Sequence, residues 1–192
     1  LDLTINGDFS CKNYYGAGYL YNSAGSANIG TEDNPVSVKT TFKGDGTNTM
    51  RTSSSGIWLY NGGYAQLGGG AVNIYGNLSL TFDGTIPQQT LIIGGYGKQT
   101  TNADIIGNIE FTMQNLDNPM SYSIYSGGYA ANGGTANITG NVTTKYNNST
   151  INGAVYGGGR NADATAGTNA DITGNMKMIF TNTVLSSAYG GS

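Results

Sequence analysis

The chain repeats itself about every 33 residues, and that period constrains the fold more than any other feature. One motif recurs as "AVNIYGNLSLTF" (Ala71–Phe82), "ADIIGNIEFTM" (Ala103–Met113), "ANITGNVTTKY" (Ala136–Tyr146) and "ADITGNMKMIF" (Ala170–Phe180). A diverged copy reads "ANIGTEDNPVSVKTTF" (Ala27–Phe42), and Leu1 opens another. Aligned on the residue after "GN", the copies fall at Leu1, Val36, Leu78, Ile109, Val142 and Met176, at intervals of 35, 42, 31, 33 and 34. A second anchor lies between them: "YGAGY" (Tyr15–Tyr19), "YNGGY" (Tyr60–Tyr64), "IIGGY" (Ile92–Tyr96), "YSGGY" (Tyr125–Tyr129), "YGGGR" (Tyr156–Arg160) and "YGGS" (Tyr189–Ser192). Its intervals are 45, 32, 33, 31 and 33. Two independent anchors with one shared period exclude coincidence.

Within each unit the apolar residues alternate, as in Leu78, Leu80 and Phe82 or Val142, Thr144 and Tyr146. Alternation predicts strands with one buried face, and no stretch carries a helical period. Each unit then holds three short strands separated by Gly and Asn turns. One coil cannot bury its own apolar face, whereas a stack of coils can. The expected fold is all-β: a right-handed parallel β-helix (solenoid) of about 33 residues and three short strands per coil, in roughly six partial coils. Residues 1–192 form a single segment, with a loop insertion within 43–57.

Stacking places like on like. Ile29, Ile74, Ile105, Ile138 and Ile172 form one internal column, and Ala27, Val72, Ala103, Ala136 and Ala170 a second. Asn77, Asn108, Asn141 and Asn175 form an asparagine ladder at a corner, with side-chain amides bonding along the stack. The preceding Gly76, Gly107, Gly140 and Gly174 supply the positive φ of the bend. Propeller blades and leucine-rich repeats have other periods.

Composition narrows the function classes. The chain has 32 Gly but only 3 Pro, which excludes collagen. Lys and Arg total 8, scattered along the chain, so no nucleic-acid footprint exists. No apolar run is long enough for a membrane helix, and "LDLTINGDF" is no signal peptide. With no His, a Ser-His-Asp triad is impossible, and Cys11 lacks a His partner for thiol catalysis.

The units resemble the glycine-rich "VYGGGxNA…TGN" repeats of bacterial secreted β-helix proteins, found in large surface adhesins and autotransporter-like passengers on the pectin-lyase-like fold. "VYGGGRNADATAGTNADITGN" (Val155–Asn175) carries the resemblance most closely, and "TEDNP" in the Ala27–Phe42 copy departs from it most. The resemblance implies an extracellular or cell-surface location in a bacterium, usually within a longer chain. It implies no single activity, since that fold hosts lyases, hydrolases, adhesins and stalks.

The first functional expectation is a non-enzymatic structural or adhesive segment, a stiff rod whose outer face meets a glycan or a host or surface protein. Its first strand and last strand carry no polar cap, which points to a piece of a longer rod or to end-to-end self-association into a filament. The alternative is a polysaccharide-active enzyme. Its acids would be Glu32, Asp33, Asp104 and Asp171, which are dispersed, and Asp104 and Asp171 read more simply as ladder members. An ice-binding rod is a third reading, disfavoured by irregular Thr spacing. "KGDGTNT" (Lys43–Thr49) has too few carboxylates for Ca²⁺, so no cofactor or metal is expected.

The expected partner face is aromatic. Tyr15, Tyr60, Tyr125, Tyr156 and Tyr189 form one column, expected to point outward, and Tyr19, Tyr64, Tyr96 and Tyr129 a second. Exposed ring faces could lie against sugar rings, while a self-stacking ladder that only stiffens the sheet is the simpler reading. The insertion adds Arg51 and the only Trp, Trp58, beside Tyr60 and Tyr64. Insertions in solenoids form loops on one face, where binding concentrates.

Overall fold

Strands of two to six residues, punctuated by glycine and asparagine, bury an apolar side only against their own equivalents. The computed structural model, which describes residues 1–7, 13–22, 24–44, 49–50, 59–87 and 89–191, takes that route. It is a parallel β-solenoid, and its described residues include no helix.

The coil is built from four stacked walls. The first wall holds Ile74–Tyr75, Ile105–Ile106 and Ile138–Thr139, extended by bridges to Ile29 and Ile172. The second stacks Asp2–Asn6, Val38–Lys43, Leu78–Asp83, Ile109–Gln114 and the leading halves of two long strands, Val142–Tyr156 and Met176–Tyr189. The third stacks Tyr14–Tyr15, Leu59–Tyr60, Leu91–Ile92, Ile124–Tyr125 and the trailing ends of those long strands. The fourth follows the glycine pair and was not among the three expected strands. It holds Tyr19–Asn22, Tyr64–Leu67, Tyr96–Lys98, Tyr129–Ala131 and Arg160–Asn161. A separate two-stranded ladder pairs Thr49–Met50 with Ile86–Pro87.

Leu78, Ile109, Val142 and Met176 are register partners, as their sequence alignment requires. The diverged copy differs: Val38, not Val36, sits beside Leu78. The cause is a local turn. Thr31 N–H donates to the Asn34 carbonyl and Asn34 N–H to Thr31 Oγ1, a turn within a segment that carries five more residues between Ile29 and Val38 than lie between their partners Ile74 and Leu78.

The second wall supplies most of the core through three inward columns. These run Val38, Leu78, Ile109, Val142; then Thr40, Leu80, Phe111, Thr144; then Phe42, Phe82, Met113, Tyr146, all buried. Ile74, Ile105 and Ile138 face them from the first wall, and Leu59, Leu91, Ile124 and Val155 from the third. The coil at 109–114 swaps its large residues. Phe111 stands two places before Phe82 and Tyr146, and the smaller Thr144 lies next to it in the stack. Volume is thereby shared between neighbouring layers, as dense packing demands. In the first and last strands of the second wall, Leu3 and Phe180 remain exposed, as does Leu1 just before the first.

Three polar ladders run along the corners. Asn108, Asn141 and Asn175 each donate a backbone N–H to Oδ1 of the Asn one coil earlier (Asn77, Asn108 and Asn141), all at 2.9 Å. The amide oxygen therefore serves the neighbouring backbone, not the neighbouring side chain as expected. Ser37 replaces Asn at the start and accepts from Asn77 N–H at 3.2 Å. Asn28, Asn73, Asp104, Asn137 and Asp171 repeat the same chemistry on the first wall. A third column is Asn115, Asn148 and Asn182, whose side-chain amides do bond one to the next at 3.2 Å. These three adopt left-handed φ of 56°, 47° and 49°, at the corner where Gly84 has φ 66°. Asn is the non-glycine residue that most readily tolerates this conformation.

Candidate functional site

Both tyrosine columns exist, but their geometry differs from a row of exposed faces. Tyr19, Tyr64, Tyr96 and Tyr129 stack with centroids 5.4, 4.6 and 5.0 Å apart. Tyr125, Tyr156 and Tyr189 stack at 4.6 and 5.0 Å, with planes 4° and 11° apart. Rings so close give their faces to each other, leaving edges and hydroxyls as the outer surface. In the lower coils the columns also interlock. Tyr15 meets Tyr64 at 4.7 Å, and Tyr60 meets Tyr96 at 5.2 Å. Tyr60 is only 7% exposed, which withdraws it from the expected ligand face. Burial, reinforced by the neighbouring phenols, raises the Tyr60 and Tyr64 hydroxyl pKa values and pushes Tyr96 up to about 12. Arg51 and Trp58, and most of the insertion, lie outside the described residues.

The fourth-wall column changes character at the upper coils, for a sequence reason. "YSGGY" becomes "YGGGR", so Arg160 takes the place next to Tyr129 in the fourth wall. Its guanidinium lies 5.5 Å from the Tyr129 ring centroid and 5.6 Å from that of Tyr125. It thereby continues the stack as a charged plate. A cleft of about 250 Å³ opens there, lined by Tyr125, Tyr156, Arg160 and Asn161. Partial burial raises the Tyr125 pKa, opposed by the charge and hydrogen bond of Arg160. The cleft thus combines a guanidinium, two phenols and an amide. Of the tyrosines expected at a partner face, Tyr125 and Tyr156 line it and Tyr129 supports it, while half-buried Tyr64 belongs to the interlocked stack below. Arg160 and Asn161 were not anticipated; the break from Tyr to Arg in the second anchor was the available signal.

Of the acidic residues considered for catalysis, Asp104 has its carboxylate engaged in the ladder, and Asp171 joins it through its backbone N–H. Asp104 Oδ1 accepts Asn137 N–H at 2.6 Å, and Oδ2 accepts the Thr135 hydroxyl at 2.9 Å. Burial raises the Asp104 pKa despite those two hydrogen bonds. The folded chain therefore holds this proton more tightly than the unfolded one. The contribution to stability is full at acid pH and is lost as pH rises through the folded value. Asp104→Asn, matching Asn28, Asn73 and Asn137, is expected to raise stability at neutral pH by on the order of 1 kcal/mol and to have little effect in acid. Thermal melts across pH check this; an equal change at both ends would refute it. Asp163 is the opposite case. It is exposed and held at about 2 by the N–H groups of Asn132 and Thr165 and by the Thr165 and Thr168 hydroxyls.

The fold and these ladders define the chain as a parallel β-solenoid protein with an aromatic outer corner. No family model, curated protein or solved structure matches the chain.

Proposed function

We propose that this chain is a non-enzymatic structural and adhesive segment of a bacterial cell-surface or secreted protein, and that its aromatic corner binds glycan. The observation that carries the reading is the engagement of polar side chains in coil-to-coil ladders. Asp104 and the two asparagine columns spend their acceptors on neighbouring backbone, which is the chemistry of a scaffold. The cleft at Tyr125, Tyr156, Arg160 and Asn161 departs from the uniform stack and offers mixed aromatic and hydrogen-bonding surface. The location rests on the resemblance of the "VYGGG…TGN" repeat to those of bacterial surface proteins.

A glycan array tests this reading. The chain is expected to bind a subset of glycans, and Tyr156→Ala, which removes one wall of the cleft, is expected to abolish that binding while the melting curve stays cooperative. Binding to no glycan would remove the adhesive half of the proposal. Binding unaffected by Tyr156→Ala would move the site elsewhere.

A further inference from the structure

Resting on the glycan reading above, we infer that the cleft at Tyr125, Tyr156, Arg160 and Asn161 selects a single acidic sugar unit, a pyranose bearing a ring carboxylate. Size is the first argument. The cleft is half open and offers about 250 Å³, below the usual range for drug-sized ligands and room for one ring.

Chemistry is the second argument. Arg160 holds its guanidinium beside two rings, 5.6 Å from the Tyr125 centroid and 5.5 Å from that of Tyr129. The group is planar and carries five N–H donors in a fork that matches a carboxylate. Backbone pairing fixes the strand beneath it: Arg160 N–H donates to the Gly128 carbonyl at 2.7 Å, and Ala162 N–H to that of Ala130 at 2.9 Å. Asn161 supplies amide N–H donors and a carbonyl for ring hydroxyls. The stacked Tyr125 and Tyr156 rings, 4.6 Å apart, present a wall of edges with hydroxyl tips. A saccharide alternates C–H and O–H around its ring and meets such a wall with both. The cation is what a neutral sugar does not need.

Position is the third argument. Arg160 occupies a register place that holds tyrosine in four other coils: Tyr19, Tyr64, Tyr96 and Tyr129. An arginine is not required to complete a ladder of tyrosines. Its presence sets a cation against the two tyrosine columns and in the wall of the cleft, in a chain whose net charge is −3.

The test is a pair of ligands that differ only in the carboxylate: methyl glucuronoside and methyl glucoside, titrated into the 192-residue chain and followed by backbone amide shifts. The glucuronoside is expected to shift the amides of 156–161 and to bind about tenfold or more tightly than the glucoside, the gain of a charge-assisted hydrogen-bonded pair. Arg160→Gln is expected to bring the two affinities together, and Asn161→Ala to weaken both. Unchanged amide shifts elsewhere show that each variant keeps its fold. Equal affinity of the wild-type chain for both sugars would overturn the acidic selection and leave the glycan reading standing. No shift with either sugar would overturn both.

Discussion

Gly107→Ala is expected to cost about 3 kcal/mol or more, a large share of the stability of a domain this size. A methyl group at this position would overlap the Gly76 carbonyl oxygen and lie 2.5 Å from its carbonyl carbon. Those atoms belong to the coil beneath and are pinned there, since Gly76 N–H donates to the Ile106 carbonyl at 2.9 Å. Relief requires the two coils to part, which lengthens the hydrogen bonds of the same corner. The requirement for glycine is therefore contact between backbones. The positive φ expected for this column is found at Gly76 (141°), Gly107 (159°) and Gly140 (157°) but not at Gly174, and at Gly107 it adds strain to the same substitution. Gly140 and Gly174 meet the coil beneath in the same way. Gly190, with nothing within 4 Å of the position a Cβ would take, is the control, and Gly190→Ala is expected to change stability by less than about 0.5 kcal/mol. Urea titrations of both variants give the comparison. Equal midpoints would show that the coils are not held at backbone contact.

Phe111→Ala is expected to cost about 3–5 kcal/mol. Phe111 is fully buried, and its ring centroid is 6.3 Å from that of Phe82 and 5.7 Å from that of Tyr146, edge to face in both cases. Its neighbours in the column are Leu80 and Thr144, neither of which can reach into the vacated space from a strand fixed on both sides. The cavity therefore persists, and its cost adds to the lost burial. Phe111→Leu, which retains most of the volume, is expected to cost less than half as much. Denaturation midpoints at constant slope measure both, and a Phe111→Ala variant as stable as Phe111→Leu would mean that the core collapses freely around the site.

Particular residues show why the stack was readable and the site less so. Ile74, Ile105 and Ile138 announce their column because each repeats at the same offset from "GN", and parallel pairing joins equal offsets. Val36 misleads because an offset counts residues, whereas the segment with the turn at Thr31–Asn34 takes up five extra ones before the strand begins at Val38. Asn115, Asn148 and Asn182 went unread although the signal was present. Asparagine stands in three coils where Gly84 stands in another, and those two residue types share tolerance of left-handed backbone. The tyrosines mark the limit of spacing arguments. Sequence intervals place Tyr125 beside Tyr156, but they do not say whether ring faces meet each other or the solvent. That depends on side-chain rotation, and stacking at 4.6 Å decides it. Arg160 is legible only as an exception, once the tyrosine column to which it belongs is known.

The ladders have a consequence for how such a chain can change in length. Asn108 receives support from Asn77 and gives it to Asn141, and to no asparagine farther along its own column. Every polar corner is thus a nearest-neighbour junction, and the same holds for the isoleucine pairs of the first wall. Adding or removing one complete coil changes the number of junctions without changing their kind. Adding or removing a single residue inside a strand turns every later side chain of that strand to the opposite face. Height in this molecule is a quantity counted in whole turns, open to duplication and loss, while extra residues within a turn are taken up between its strands, as before Val38.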